Sequence, residues 1–433
     1  MITEFQQRFE KLGFSQLSPI QEAVYQPLLD GDSVLGLAPT GSGKTLGFVL
    51  PMLEKMTPGD GIQAMIVAPS QELAMQLTNV ARTFADLVNL KVTAITGGAN
   101  VKRQMEQLKK HPDLIVGTPG RIQNLIDDRR LKVAGVKTVI IDEADDLLEG
   151  ETFDTVRWIL QAVPGEVQLG FFSATETPQL TGESLEKWFG QPVTRYDVRA
   201  IDQTQGAVRH GLLTISNLKK NVMLRRLAEM KQFKGLVFFD NVAGLQKTAS
   251  WLRHNHVAAA TLTANQRQTE RQKALTDFRL GRIKLLLSTD VAARGLDIAK
   301  LPAVVNYDLP STANGYTHRA GRTGRMGEPG QVINFGNDHD FRDLKRLLVK
   351  TDLDLVPIAY QDRQLVAANE ATDQAPTVTA KRVSAGGVPA TSSTPTERTV
   401  TRPAAPVEPT AKKKHKNKHS KRKGMRHKRQ QQN

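Results

Sequence analysis

The sequence predicts an α/β protein of two tandem units, each a parallel sheet with helices on both faces, followed by a disordered basic tail. Three observations carry that expectation. From residue 20 to about residue 198, short apolar runs alternate with amphipathic stretches, the pattern of strands joined by crossover helices. After a polar connection the alternation restarts and runs to about residue 358. Beyond it Ala, Thr, Pro, Ser and Gly dominate up to Thr410 and Lys and Arg thereafter, a composition too polar to bury a core. The expected boundaries are 1–198 for the first unit, 199–208 for a linker, 209–358 for the second unit and 359–433 for the tail.

In chain order, the first unit offers strands at 33–38, 64–68, 91–96, 114–118, 138–142 and 168–173. Between them, 72–87 and 100–109 place apolar residues at helical spacing. The second unit repeats the scheme with strands at 211–214, 235–239, 258–262, 283–288, 303–307 and 331–335, and helices at 218–231 and 242–255. No short-period repeat interrupts either unit.

Composition narrows the chemistry. The 433 residues contain no cysteine, which excludes disulfides, thiolate metal sites and cysteine nucleophiles and fits a reducing compartment. The histidines show no metal-ligand spacing. The start carries Glu4 and polar residues instead of a basic, then apolar, leader, and no apolar run reaches the roughly 18 residues of a membrane span. A cytoplasmic protein without a membrane partner is expected. Of the net charge of +15, residues 358–433 hold +11, with 16 Lys and Arg against 5 Asp and Glu. The tail is therefore the polyanion-seeking part, suited to hold a nucleic-acid backbone through counterion release, with almost no aromatics for base stacking. A solubilising, merely disordered end is the alternative.

Three segments carry the chemistry. Ala38-Pro39-Thr40-Gly41-Ser42-Gly43-Lys44-Thr45 follows an apolar strand and precedes a helix, the setting of a phosphate-binding loop. Its glycines let backbone N–H groups close on phosphate oxygens, Lys44 reaches the outer phosphates, and the Thr45 hydroxyl is placed for Mg²⁺. The first position is Ala38, not glycine, so the strict pattern is not met. Val139-Ile140-Ile141 runs into Asp142-Glu143, which sets carboxylates at the carboxyl edge of a parallel sheet. Asp142 is placed to hold Mg²⁺ through water and Glu143 to deprotonate an attacking water; an acidic helix N-terminus is the plainer reading of that pair alone. In the second unit, His318-Arg319-Ala320-Gly321-Arg322-Thr323-Gly324-Arg325 concentrates arginines with no acid beside them in sequence. Such a loop suits arginine fingers on a transferring phosphoryl group; a contact to RNA phosphates or a solvated charged turn are the alternatives.

Taken together these segments resemble the DEAD-box family of RNA helicases, within helicase superfamily 2, over roughly residues 5–357. The resemblance extends to Gly13-Phe14 and Ile20-Gln21, to Gly97-Gly98, Thr118-Pro119-Gly120-Arg121, Ser173-Ala174-Thr175, Gln268-Thr269-Glu270-Arg271 and Thr289-Asp290-Val291-Ala292-Ala293-Arg294-Gly295-Leu296-Asp297. It implies two RecA-like lobes and RNA-stimulated ATP hydrolysis coupled to local unwinding of short duplexes or remodelling of RNA–protein complexes. It further implies that Gln21 reads adenine with Phe14 nearby, and that Asp297 contacts the ribose. Arg322 and Arg325 are implied to contact the γ-phosphate. Ser173 and Thr175 are implied to couple hydrolysis to domain closure, with Asp145 and His318 bridging between the lobes. Gly97, Gly98, Thr118, Pro119, Gly120, Arg121, Gln268, Arg271 and Thr289 are implied to hold RNA backbone and 2′-hydroxyls. Ribosome assembly, RNA decay and cold adaptation are known settings for similar proteins.

The chain departs from the family pattern in places. Pro69-Ser70-Gln71-Glu72-Leu73-Ala74 carries Gln71 where arginine is usual, removing one cation from the RNA path. Leu17 stands where proline is common, the sequence begins too late to include the aromatic often found further upstream, and Leu262-Thr263-Ala264 lacks the usual glycine. Two rival readings are a DNA-translocating motor of the same superfamily, which DNA-stimulated turnover would reveal, and a non-catalytic RNA scaffold, which intact Lys44, Glu143 and Arg322 argue against.

Overall fold

The structure, a computed structural model of the chain, describes residues 1–97, 101–204, 206–263, 266–293, 298, 300–325, 327–349, 351 and 353–369. The first lobe holds seven strands: β1 (Val34–Leu37), β2 (Ala64–Val67), β3 (Val92–Ile95), β4 (Leu114–Gly117), β5 (Thr138–Asp142), β6 (Gln168–Ser173) and β7 (Thr194–Asp197). They form one sheet in the order β3-β4-β2-β5-β6-β1-β7, every pair parallel.

Strand periodicity divides the apolar residues between two cores. Val34, Ile66, Val116, Ile140 and Phe172 face one layer of helices; Leu35, Met65, Ile115, Ile141 and Phe171 face the other. Helix Thr3–Lys11 closes the first core with Phe5 and Phe9, and helix Gln71–Ala85 covers it with Leu73, Leu77 and Phe84.

The second lobe has eight strands: β8 (Val208–Thr214), β9 (Gly235–Phe239), β10 (Ala259–Leu262), β11 (Leu285–Thr289), β12 (Ala303–Asn306), β13 (Gly330–Gly336), β14 (Leu355–Gln361) and β15 (Gln364–Ala367). Their order is β10-β11-β9-β12-β13-β8-β14-β15, parallel except for the final antiparallel hairpin. Here too the alternation holds, with Val237, Leu287, Val305 and Ile333 on one face and Leu236, Leu286, Val304 and Val332 on the other.

Every expected strand is present within a few residues; the differences lie at the edges. β7 was not expected, because Thr-Arg-Tyr-Asp is polar and the strand is an exposed edge. β8 begins at Val208, inside the expected linker. The second lobe also continues past the expected boundary at 358, through β14 and β15. Pro357 within β14 reads as a strand breaker. The two-residue turn Asp362-Arg363 takes positive φ of 49° and 59°, a hairpin geometry that Asn-Gly usually announces. Of the expected tail, the residues beyond 369 lie outside the described residues. Among the described residues no helix is long and apolar enough to cross a membrane.

Candidate active site in the cleft between the lobes

Strand order sorts the functional loops of the first lobe. β5, β6 and β1 are neighbours, so Asp142-Glu143, Ser173-Ala174-Thr175 and the loop 38–45 gather on one half of the carboxyl edge. β2, β4 and β3 make the other half and end beside Ser70-Gln71, Thr118-Pro119-Gly120-Arg121 and Gly97. Parallel strands put all carboxyl ends on one edge, where open α/β sheets take ligands. In the first lobe, the phosphate loop, Asp142-Glu143 and Ser173–Thr175 thus occupy one half of the edge, and the expected RNA segments at Gly97 and Thr118–Arg121 the adjacent half.

The loop 38–45 is anchored at its start by Ala38 N–H, which donates to the Ser173 carbonyl at 3.1 Å. Gly41 and Gly43 adopt φ of 85° and 86°, and Gly43 caps helix Lys44–Glu54. The first N–H groups of such a helix have no intrahelical acceptor and face an incoming anion. A side chain at Gly43 would run into the Gln21 carboxamide. That carboxamide donates from Nε2 to the Gly43 carbonyl and accepts from Ser18 N–H, each at 3.0 Å. Gln21, expected on adenine, is here the brace between helix Pro19–Asp30 and the loop, with one valence left at each end for a base edge. Phe14 lies half-buried against Phe9, ring centroids 4.9 Å apart.

Lys44 Nζ donates to the carbonyls of Ala38 and Pro39 at 2.6 and 2.8 Å. Burial pulls its pKa down to about 8, against the opposing pull of Asp142, Asp145 and Glu143. Asp142 is buried at the end of β5; burial, and then the Glu143 charge, push it up to about 7 despite Lys44. Its Oδ1 accepts Glu143 N–H at 3.1 Å. Glu143 itself has φ of 51°, a backbone state that costs a non-glycine residue energy and persists where the surroundings impose it. The result aims a carboxylate whose Oε2 is buried with no hydrogen-bond partner.

These features fit a divalent cation. Among the described residues no cluster of three His, Asp, Glu or Cys forms a protein-only cage. Mg²⁺ does not require one: it keeps several waters and takes one or two protein oxygens with the substrate phosphates. Asp142, burdened by a neighbouring like charge, and half-buried Thr45 on the first helical turn are suited to that role.

The second lobe meets this site directly. Thr40 Oγ1 donates to the Gly321 carbonyl at 3.2 Å, and Arg322 reaches Glu143 Oε1 at 3.4 Å. Arg325 packs against Gly41 and donates from Nε to the Gly321 carbonyl at 2.8 Å. His318 Nε2 lies 2.6 Å from Asp145 Oδ2, which also accepts from the Thr175 hydroxyl. Ser173 Oγ donates to the Thr175 carbonyl and accepts Thr175 N–H, which fixes the turn. All four expected coupling residues are therefore in one contiguous network.

The sequence suggested arginines with no acid to neutralise them; for Arg319 the structure shows otherwise. Its guanidinium is bidentate on Asp290 at 2.6 and 2.7 Å, donates to Asn306 and the Asp308 carbonyl, and stacks on Phe238. Asp290 lies 29 residues upstream, beyond the reach of local pattern reading. Tyr316, on the same face of helix Ala313–Ala320, bonds His210 at 2.8 Å. These contacts bolt the helix to its sheet and leave His318 and Arg322 toward the first lobe.

Arg271, expected on RNA with Gln268, also differs. It is buried, donates to the carbonyls of Thr263 and Ala292, and pairs with Glu72 of the first lobe at 2.7 Å. Its charge is spent on holding the lobes together. Thr289 closes β11 and is buried, Gly97, Thr118 and Arg121 are half-buried, Pro119 is buried and Gly120 exposed. Gly98, Asp297 and the side chain of Gln268 lie outside the described residues.

The His318–Asp145 pair makes lobe closure depend on pH. Burial would neutralise both partners, but their mutual hydrogen bond outweighs it. Asp145 is held down to about 2, and His318 is raised above 6.5 by Asp145, Asp146 and Glu143. The Asp145 contribution is complete above 3.8 and is lost only as pH falls through about 2; the His318 contribution is complete below 6.5 and is lost as pH rises through its raised pKa. With dyes on the two lobes, closure on RNA and a non-hydrolysable ATP analogue is expected to weaken as pH rises above 6.5. His318→Gln should flatten that slope; an unchanged slope would assign it elsewhere.

Comparison with known proteins agrees with this geometry. The DEAD/DEAH box helicase family model matches residues 18–181 and the helicase conserved C-terminal domain matches residues 218–327. A probable ATP-dependent RNA helicase, YfmL of Bacillus subtilis (strain 168), is 37% identical over 361 residues, covering 83% of this chain and 95% of that protein. The DEAD-box ATP-dependent RNA helicase CshC of Bacillus cereus is 36% identical over 346 residues, covering 80% and 88%. Among solved structures, S. cerevisiae Dbp5 bound to RNA and ADP BeF3 superposes with a TM-score of 0.75 at 27% identity, over 82% of this chain and 94% of that one. Two parallel-sheet lobes, a phosphate loop braced by Gln21, an Asp-Glu-Ala-Asp turn and an opposing arginine loop thus occur together in a chain that belongs to the DEAD-box helicase family.

Proposed function

We propose that ATP turnover in this chain is gated by RNA through the meeting of the two lobes, and the observation that carries this is the Glu143–Arg322 contact at 3.4 Å. The chain is an ATP-dependent RNA helicase of the DEAD-box type. A base on one lobe and a phosphate-stabilising cation on the other form a complete site only when both lobes are in register. Lys44 and the loop 38–45 bind the phosphates, and the Glu143 carboxylate orients the attacking water and takes its proton. Arg322 and Arg325 offset the charge that develops on the γ-phosphoryl group. Bound at Thr45 and Asp142, Mg²⁺ would neutralise phosphate charge and favour its transfer.

RNA is read by backbone and 2′-hydroxyl along Gly97, Thr118–Arg121 and Thr289, which accounts for grip without sequence preference. The cleft closes on the strand, a short duplex opens locally, and hydrolysis releases the clamp. Ribosomal or RNA-decay assemblies are the cellular partners this activity suits, and crosslinked RNA would identify them. The decisive experiment measures ATP hydrolysis by the full chain without nucleic acid, with single-stranded RNA and with DNA of the same sequence. RNA should raise turnover and DNA should not. Equal rates in the three conditions would refute the gating.

A further inference from the structure

We propose that the connection between the lobes, through its described residues 199–204 and 206–207, is a strut that positions the arginine loop against the phosphate loop. A connection of this length ordinarily acts as a tether, free to vary in path. Here both ends are fixed to elements of the cleft, so this inference rests on the helicase reading above.

The first end leaves from the nucleotide half of the first lobe. Val198 N–H donates to the Leu37 carbonyl at 2.9 Å, immediately before the phosphate loop. Arg199 then donates to Asp197 Oδ1 at 2.9 Å and to Asp197 Oδ2 at 2.6 Å, and reaches Glu176 Oε2 at 3.0 Å. Arg195 completes the quartet on the same two carboxylates. Glu176 directly follows Thr175, whose hydroxyl donates to Asp145. The anchor is thus one residue from the network that reports the state of the nucleotide site. Isolated surface pairs contribute little, but four charges sharing bidentate geometry restrict one another.

The middle of the strut is turned, not extended: Ile201 and Asp202 N–H groups donate back to the Val198 carbonyl, and Thr204 donates to Asp202 Oδ1 from both its N–H and its hydroxyl.

The far end is zipped to the arginine loop by backbone. Gly327 N–H donates to the Thr204 carbonyl at 3.1 Å, Gly206 N–H to the Gly324 carbonyl at 2.8 Å, and Gly330 N–H to the Ala207 carbonyl at 2.9 Å. These bonds bracket Arg325. The approach is so close that a Cβ at Gly206 would sit 2.6 Å from the Glu328 carbonyl carbon and 2.7 Å from that of Gly327. Those atoms are backbone and cannot swing aside. On its other side the same loop meets Thr40 and Gly41. The arginine loop therefore has the strut behind it and the phosphate loop in front.

Such a strut does covalently what the Asp145–His318 pair does by contact: it ties the turn after Ser173 to the residues around Arg325. Two variants of the full chain test it. Gly206→Ala breaks the zip, and four residues, Gly-Ser-Gly-Ser, inserted between Asp202 and Gln203 leave both ends intact but uncouple them. For each, the readouts are RNA-stimulated kcat, KM for ATP, RNA affinity and melting temperature. Misplacing reacting groups by about 1 Å costs roughly 10²-fold. Gly206→Ala should accordingly lose at least about tenfold in kcat, and the insertion about fivefold, with KM and RNA affinity within about twofold of the parent in both and the melting temperature unchanged in the insertion. Both variants within about twofold of the parent in kcat would overturn the strut. So would a Gly206→Ala loss that tracks melting temperature while the insertion stays at the parent's rate. A parent indifferent to RNA sinks the helicase reading and the strut together; a responsive parent with equally responsive variants sinks the strut alone.

Discussion

Replacing Arg322 by alanine is expected to lower RNA-stimulated ATP turnover by roughly 10³–10⁵-fold, the range an arginine finger supplies. Arg322 is buried, is oriented by its own Nε donating to the His318 carbonyl at 3.1 Å, and reaches Glu143 across the cleft. A guanidinium held that way in a water-poor cleft is preorganised, so little reorganisation is needed when charge builds on the phosphoryl oxygens. Lysine should not restore the rate, because an ammonium lacks the planar fork that engages two oxygens at once. ATP binding by the first lobe should be nearly unchanged, since Lys44 and the loop 38–45 lie on the other side of the interface. Single-turnover hydrolysis, measured beside nucleotide binding in the parent and in Arg322→Ala, separates the two. A variant that loses ATP affinity but keeps its single-turnover rate would show that Arg322 binds ground state and transition state alike.

What could be read from the sequence divides along physical lines. The phosphate loop, the Asp142-Glu143 turn and the positions of the central strands along the chain were legible because each is written in consecutive residues: an apolar run, a glycine-rich turn, then a helical pattern. Of the contacts that close the cleft, only the Asp145–His318 bridge was expected, and that from the family resemblance. Glu72–Arg271 and Glu143–Arg322 join residues 199 and 179 positions apart, and nothing local in either partner names the other. Arg271 shows the cost. A cation in a segment that resembles an RNA grip reads as an RNA contact, and only the folded chain reveals that Glu72 claims it. Arg319 is the same case within one lobe. The edges were missed for another reason. β7 and β15 bury little, and a strand stabilised by its backbone ladder leaves a weak side-chain signature.

The second large effect is expected at Glu143. Changing it to glutamine keeps the size and one hydrogen-bonding oxygen but removes the proton acceptor, and turnover should fall by roughly 10²–10⁴-fold. The strain at this residue makes the outcome specific. Its φ of 51° aims the side chain, Asp142 Oδ1 receives its N–H, and neither depends on the carboxylate charge, so the glutamine should occupy the same place. Arg322 loses an ionic partner, yet the lobes remain joined by Asp145–His318, Glu72–Arg271 and Thr40–Gly321. RNA and ATP should therefore still draw the lobes together, and without hydrolysis to reset the clamp the complex should persist. Glu143→Gln is thus expected to release RNA more slowly than the parent in the presence of ATP, while hydrolysing almost none of it. Measuring the RNA dissociation rate and ATP hydrolysis on the same sample tests both halves at once. Rapid RNA release together with lost turnover would mean that Glu143 helps to hold the closed state; retained turnover would move the base to another group. The left-handed turn at Glu143 carries a cost at every moment the protein is folded, and a proton acceptor aimed at the cleft is the function that accounts for it.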